Sequence, residues 1–287
     1  MPYLVAVSLL WAFSFGLIKG RLVGLDPSFV SAARLGLALL VFLPFLRLRG
    51  VPAGLAARLA ALGAVQFGVM YLAYNASFRH LQAHEVALFT LTTPVFVTLL
   101  ADAVERTFRP AALAAALLAV VGAAVLVAPA AVPGPTLLGL ALIQASNLAF
   151  AAGQVGYRHL RRRHPDLRDA AIFALPCLGG FVLCAAVAVA AGLPAPASVT
   201  AEQWVTLLYL GLLASGAGFF LWNVGVTRVS AGTAAVMNNA KVPLGIACAL
   251  LVFGESADLP RLAGSFALLA AAVWLAERRP APPRPAA

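Results

Sequence analysis

Apolar runs of about twenty residues follow one another along almost the whole chain, separated by short stretches that collect Arg, Gly and Pro. A helix needs about 20 predominantly apolar residues to cross the hydrocarbon layer of a bilayer, so runs of this length predict membrane spans. Ten are expected, at roughly 3–20, 28–46, 58–78, 84–103, 110–128, 135–156, 169–191, 203–224, 232–253 and 260–276. The expected fold class is an all-α membrane protein.

The runs also repeat. Displacing the chain by 148 residues lays Leu62-Gly63 on Leu210-Gly211, Gly68 on Gly216, Tyr71 on Phe219 and Tyr74-Asn75 on Trp222-Asn223. Pro94 falls near Pro243, and Glu105 with Pro110 near Glu255 with Pro260, in the same order. Each copy holds five expected spans, an odd number, so the second enters the membrane upside down relative to the first. Matched copies of inverted topology mark a secondary transporter. The expected division is a first five-helix repeat at 1–130, a second at 131–278 and a cytoplasmic tail at 279–287.

Composition agrees on the solvent. With 62% hydrophobic and 10% charged residues the chain lacks the roughly 25% of charged residues that cover a soluble domain. Of its 20 Lys and Arg residues, fourteen fall on one side of the expected spans, among them Arg47, Arg49, Arg109, Arg158, Arg168 and Arg228. The other side has Lys19, Arg21, Arg79 and Arg261. Positive loops stay cytoplasmic, which places both termini inside. The net charge of +10 is thus a topology signal, and its scatter over short loops without stacking aromatics argues against nucleic acid as a partner. Cys177, Cys184 and Cys248 lie inside spans without metal-ligand spacing and read as small buried apolar residues. The string His84-Glu85-Val86-Ala87-Leu88 lacks the second histidine of a zinc-protease motif. Neither a metal nor a cofactor is expected, and the absence of a phosphate-binding glycine loop excludes direct use of ATP.

Several strings resemble a known family. Trp11-Ala12-Phe13-Ser14-Phe15, Arg34 early in the second span, Leu91-Thr92-Thr93-Pro94, Glu105-Arg106 and Gly254-Glu255 are similar to the drug/metabolite transporter superfamily, in its ten-span EamA-type branch. Gln66 through Tyr71, Gln144 through Asn147, Trp222-Asn223 and the stretch from Met237-Asn238-Asn239 to Pro243 resemble the biotin-importing members of that branch. The resemblance covers essentially the whole chain. It implies a bacterial inner-membrane importer of a small carboxylated metabolite, with biotin the leading candidate.

The residues themselves suggest where such a substrate sits. Pro94 and Pro243 fall in matching spans, where proline breaks or kinks a helix, and paired breaks point to a midplane site. Lys241, one of two lysines, lies close to that level, where a charge is retained only if it pairs, faces water or binds something. It is the expected partner of a substrate carboxylate; a structural ion pair is the alternative. Asn238 shares its helical stripe. Gln144 and Asn147 form an amide stripe that either reads the ligand or holds helices together. Trp11, Ser14, Gln66, Tyr71 and Trp222 are expected as cavity walls, while Tyr74 reads more simply as an interfacial aromatic. Arg34 is either an anion contact or a snorkelled anchor.

The smooth spans five and ten are expected to serve as a scaffold or as a homodimer face. The expected partners are therefore a small organic anion, the lipid bilayer and a second copy of the chain. Two other readings share the chain's features: an exporter of amino acids, amines or drugs, and a membrane-embedded enzyme. The enzyme requires a cluster of acid, base or nucleophile that the sequence does not offer.

Overall fold

The structure is a computed structural model that describes residues 1–22, 24–81, 86, 89–127, 137–193, 198–244, 247 and 259–277, with the backbone alone at 13–16, 18–20, 126 and 127. Ser14, His84, Glu85, the linker 128–136, Cys248, Glu255 and the tail 279–287 lie outside the described residues or side chains.

All regular structure among the described residues is helical. The helices are α1 (Pro2–Arg21), α2 (Pro27–Phe42), α3 (Ala53–Ser77), α4 (Thr93–Glu105), α5 (Pro110–Val127), α6 (Leu137–Arg163), α7 (Asp169–Ala191), α8 (Ala201–Thr227), α9 (Ala231–Met237) and α10 (Leu259–Glu277). Six stretches among the described residues are long and apolar enough to cross a membrane, namely Pro27–Phe45, α3, α6, α7, α8 and α10. Pro2–Ala12 and Pro110–Val125 are shorter apolar helices.

Ten spans are not reached among the described residues, where the first and fifth expected spans are those two shorter helices. The fourth and ninth are interrupted. The chain turns at Leu91-Thr92 before α4, and turns again over Asn238–Ala240 before Lys241–Leu244 resume as helix. Within the second turn the amides of Asn238, Asn239 and Ala240 bond to carbonyls three residues back, at 3.0–3.2 Å. The prolines therefore do not bend a continuous helix. Pro94 sits in the first turn of α4, where its missing N–H would have no partner anyway and its fixed φ suits the start of a helix.

Helix starts are fixed by local chemistry. The Asp26 carboxylate accepts from the Ser28 amide at 2.8 Å and caps α2. Thr200 and Gln203 form a reciprocal capping box at α8, and Ser230 accepts from the Thr233 amide at 3.0 Å to start α9.

Close packing relies on small residues, as it must where lipid gives helices no hydrophobic reason to associate. A Cβ at Gly63 would lie 1.9 Å from the Pro176 carbonyl oxygen, and one at Gly179 would lie 1.8 Å from that of Ala60. These two glycines set the contact of α3 with α7. Both α3 and α8 contain a π-helical segment, Ala64–Val69 and Tyr209–Ala217, at positions that the 148-residue displacement brings into overlap. Contacts follow the same displacement, since α2 packs on the π segment of α8 and α7 packs on that of α3. The helices α5 and α10 lie along each other, with Gly122 against Leu268.

Candidate functional site

Between the two interrupted segments lies a cavity with about 690 Å³ of empty space. Its aromatic wall is built by Trp11 from α1, Tyr71 and Tyr74 from α3, Phe150 from α6 and Phe219 from α8. Met70, Thr90, Thr93, Ser146 and Asn147 add a softer and more polar side, and Arg34 and Lys241 bring the only charges among the lining residues.

The aromatic wall is tightly interlocked. The Trp11 ring lies 5.0 Å from that of Trp222 and 5.7 Å from that of Phe219, which stacks on Phe67 at 4.4 Å with the planes 7° apart. The Trp11 indole N–H donates to the Ala214 carbonyl at 2.9 Å. That carbonyl belongs to the π segment of α8, where the widened turn disturbs the regular ladder and frees acceptors for side chains. The Ser146 hydroxyl makes the counterpart bond to the Met70 carbonyl, 3.1 Å away at the end of the π segment of α3.

The two cations differ in how they are held. Arg34 is buried at 4% exposure, its guanidinium 4.3 Å from the Tyr71 ring centre, donating to the Tyr71 hydroxyl and, at 3.2 Å, to Ser215 Oγ. Tyr71 and Ser215 are themselves 2.9 Å apart. Arg34 is thus locked in one orientation from two helices. Lys241 is half-buried and stands at the start of the resumed helix, its ammonium 5.8 Å from the Trp11 ring centre. Neither cation has a carboxylate partner among the described residues. The cavity is a positively charged, aromatic-walled chamber whose least restrained donor is Lys241.

Of the residues singled out from sequence, Trp11, Arg34, Tyr71, Asn147 and Lys241 line this cavity. Gln66, Gln144, Trp222 and Asn238 stand outside its lining. Gln66 and Asn223 exchange a reciprocal pair of amide bonds at 2.8 and 3.3 Å, both residues fully buried. Trp222 donates to Gln154 at 2.8 Å and backs Trp11. Asn238 donates to the Ala234 carbonyl at 2.9 Å.

The amide stripe of α6 grips the first interruption directly. Asn147 donates to the Phe89 carbonyl at 2.8 Å and to Thr92 Oγ1 at 3.1 Å, and Gln144 accepts from that same hydroxyl at 2.8 Å. Pro94 and Pro243 lie just beyond their turns.

Sequence reasoning missed Thr90, Thr93, Ser146 and Phe150, and read Tyr74 as an interfacial aromatic although it lines the cavity. Small hydroxyls and apolar side chains carry no signal of their own in a chain this hydrophobic. The usable clue was spacing, because Ser146, Asn147 and Phe150 share the face of α6 that Asn147 marks.

The model of the EamA-like transporter family matches residues 1–128 and again 137–276. A Pseudomonas aeruginosa protein named "Probable biotin transporter" is 43% identical over 277 residues, covering 96% of each chain. Proteins named "Biotin transporter" from Salmonella typhimurium and Escherichia coli are 38% and 37% identical over 284 residues, 98% of this chain and 94% of theirs. A solved crystal structure shares the fold with a TM-score of 0.76 at 20% identity, over 96% of this chain and 95% of that one. The chain belongs to the EamA-like transporter family and is a transporter rather than an enzyme.

Proposed function

We propose that this transporter imports biotin across the bacterial inner membrane by alternating access. The observation that carries the reading is the pairing of Lys241, free of any carboxylate partner among the described residues, with an aromatic chamber. Biotin presents one carboxylate, an apolar bicycle and a ureido head. Lys241 neutralises the carboxylate, Trp11, Tyr71, Phe150 and Phe219 cover the bicycle, and Arg34, Tyr74 and Asn147 address the polar head. The names of relatives at 37–43% identity support the same substrate.

The architecture we infer is ten spans in two five-helix repeats of opposite orientation, 1–130 and 131–278, with both termini in the cytoplasm. The twofold match to the family model, the overlapping π segments and the matched interruptions support it. So does the excess of arginine on one side. Alternating access follows as rocking of one repeat against the other about the site between them.

The test is uptake of labelled biotin at nanomolar concentration by a biotin-requiring bacterium that lacks its own importer, with this gene, with its Lys241→Ala variant and with neither. Saturable uptake that collapses in the variant is the expected result. No uptake despite confirmed membrane expression overturns biotin and redirects the search to other carboxylates and amino acids.

A further inference from the structure

A second cavity lies far from the first, at the ends of the membrane helices. It is lined by Arg47, Arg49 and Arg168 together with Phe45, Val51, Asp166, Leu167 and residues 170–172, and has about 760 Å³ of empty space. Its walls are the connection from α2 to α3 and that from α6 to α7, which the Arg47 amide joins by a 2.9 Å bond to the Ala171 carbonyl.

Three observations bear on what this cleft takes. The first is charge: three exposed guanidiniums face one carboxylate, Asp166, among its lining residues. The nearby Asp169 is already engaged by Arg161 at 2.7 Å and by the Tyr157 hydroxyl. The second is preorganisation. Arg47 Nη1 donates to the carbonyls of Pro44 and Leu46 at 3.1 and 3.0 Å, which fixes the guanidinium plane while its Nε and Nη2 hydrogens stay outside those two bonds. Planar guanidiniums held in this way suit the oxygens of a phosphate.

The third observation is depth. Four candidate spans end at this cleft, Pro27–Phe45, Ala53–Ser77, Leu137–Arg163 and Asp169–Ala191, so it sits where hydrocarbon gives way to headgroups. The same connection exposes Leu43 at 50%, Phe45 at 55% and Leu48 at 53%, interleaved with Arg47 and Arg49. Apolar side chains exposed beside arginines at a span end fit acyl chains on one side and a phosphodiester on the other.

We propose that this cleft binds the phosphodiester headgroup of an anionic phospholipid of the surrounding leaflet. A basic pocket between the ends of membrane helices is a site of this chemistry. A headgroup there bridges the α2–α3 and α6–α7 connections, and so ties the first repeat to the second at the membrane surface. The inference is independent of which substrate the central cavity carries.

Native mass spectrometry of the purified full-length protein, with phosphatidylglycerol or phosphatidylcholine added to the detergent, tests it. The expected result is retention of phosphatidylglycerol over phosphatidylcholine, weakened roughly fivefold by each of Arg47→Gln, Arg49→Gln and Arg168→Gln. Asp166→Asn is expected to strengthen retention, a gain that a misfolded variant does not produce. Equal retention of the two lipids, or no response to the arginine and aspartate variants, overturns the proposal. Displacement of the lipid by millimolar inorganic phosphate or glycerol 3-phosphate would assign the cleft to a free phosphate instead, and overturns it equally.

Discussion

The side-chain amide of Asn239 donates to the backbone carbonyl of Leu91 at 3.0 Å, and the two residues stand 148 positions apart, the same displacement that lays one half of the sequence on the other. Each residue lies in the turn that interrupts its own segment. The matching interruptions are thus bonded to each other rather than merely placed alike. A turn exposes carbonyls that a continuous helix would have used, and within a membrane water cannot satisfy them. Asn239 supplies the missing donor and reaches the Ala119 carbonyl as well, at 3.3 Å.

Replacing Asn239 with Leu leaves the buried Leu91 and Ala119 carbonyls without this donor. The expected cost is about 1–3 kcal/mol. It should appear as a lowered unfolding temperature in detergent, with transport reduced in proportion to the protein that remains folded.

Lys241→Ala should reduce biotin uptake at least about tenfold, the loss of one charge-assisted contact. Lys241→Arg should retain part of it. Competition by biotin analogues separates charge from shape: biotin methyl ester and biotinamide should compete poorly against the wild type, and no worse than biotin against Lys241→Ala. Equal competition by ester and acid in the wild type would remove Lys241 from carboxylate recognition.

The Gln66 and Asn223 amides satisfy each other in a fully buried setting, so either one alone becomes a buried polar group without its partner. Gln66→Leu and Asn223→Leu should each destabilise by about 1–2 kcal/mol, and the double variant by less than their sum. Thermal unfolding of the four proteins in one detergent measures the coupling. Strict additivity would show that the pair does not act as a unit.

Burial pushes the Asp26 carboxyl up, but bonds from the Ser28 hydroxyl and from the Ser28 and Phe29 amides, with Arg79 nearby, outweigh it and hold the group below its ordinary value. A depressed carboxyl stabilises the fold above its unfolded-state pKa, near 3.9, and loses that contribution as pH falls through the folded-state value. The wild type should therefore lose stability on acidification in this range, while Asp26→Ala, less stable by about 1 kcal/mol at neutral pH, should converge with it. Unfolding temperatures from about pH 6 down to pH 3 check the crossover.

What the sequence disclosed tracks how unusual each residue is for its surroundings. Lys241 was legible because a charge in a long apolar run is costly, and Pro94 and Pro243 because proline interrupts a helix. The manner of interruption was not legible, because whether a chain bends at a proline or turns just before it depends on donors from distant helices such as Asn147 and Asn239. The roles of Gln66 and Gln144 divided on the same ground. An amide in a membrane helix advertises that it needs a partner, and not whether that partner is Asn223, Thr92 or a ligand. Phe150 and Ser146 carried no signal, since their residue types are ordinary in any helix of this composition.

The two cations of the central chamber give the loaded and empty carriers different electrical characters. Among the described residues no acid neutralises Arg34 or Lys241, so in the import cycle proposed above the carboxylate of biotin is their counter-ion. A carrier returning empty moves positive charge that a loaded one masks. Across a bilayer, each elementary charge responds to the membrane potential with about 2.3 kcal/mol per 100 mV. On that proposal voltage acts chiefly on the unladen half of the cycle, and with it on the rate at which the chamber is presented again to the outside.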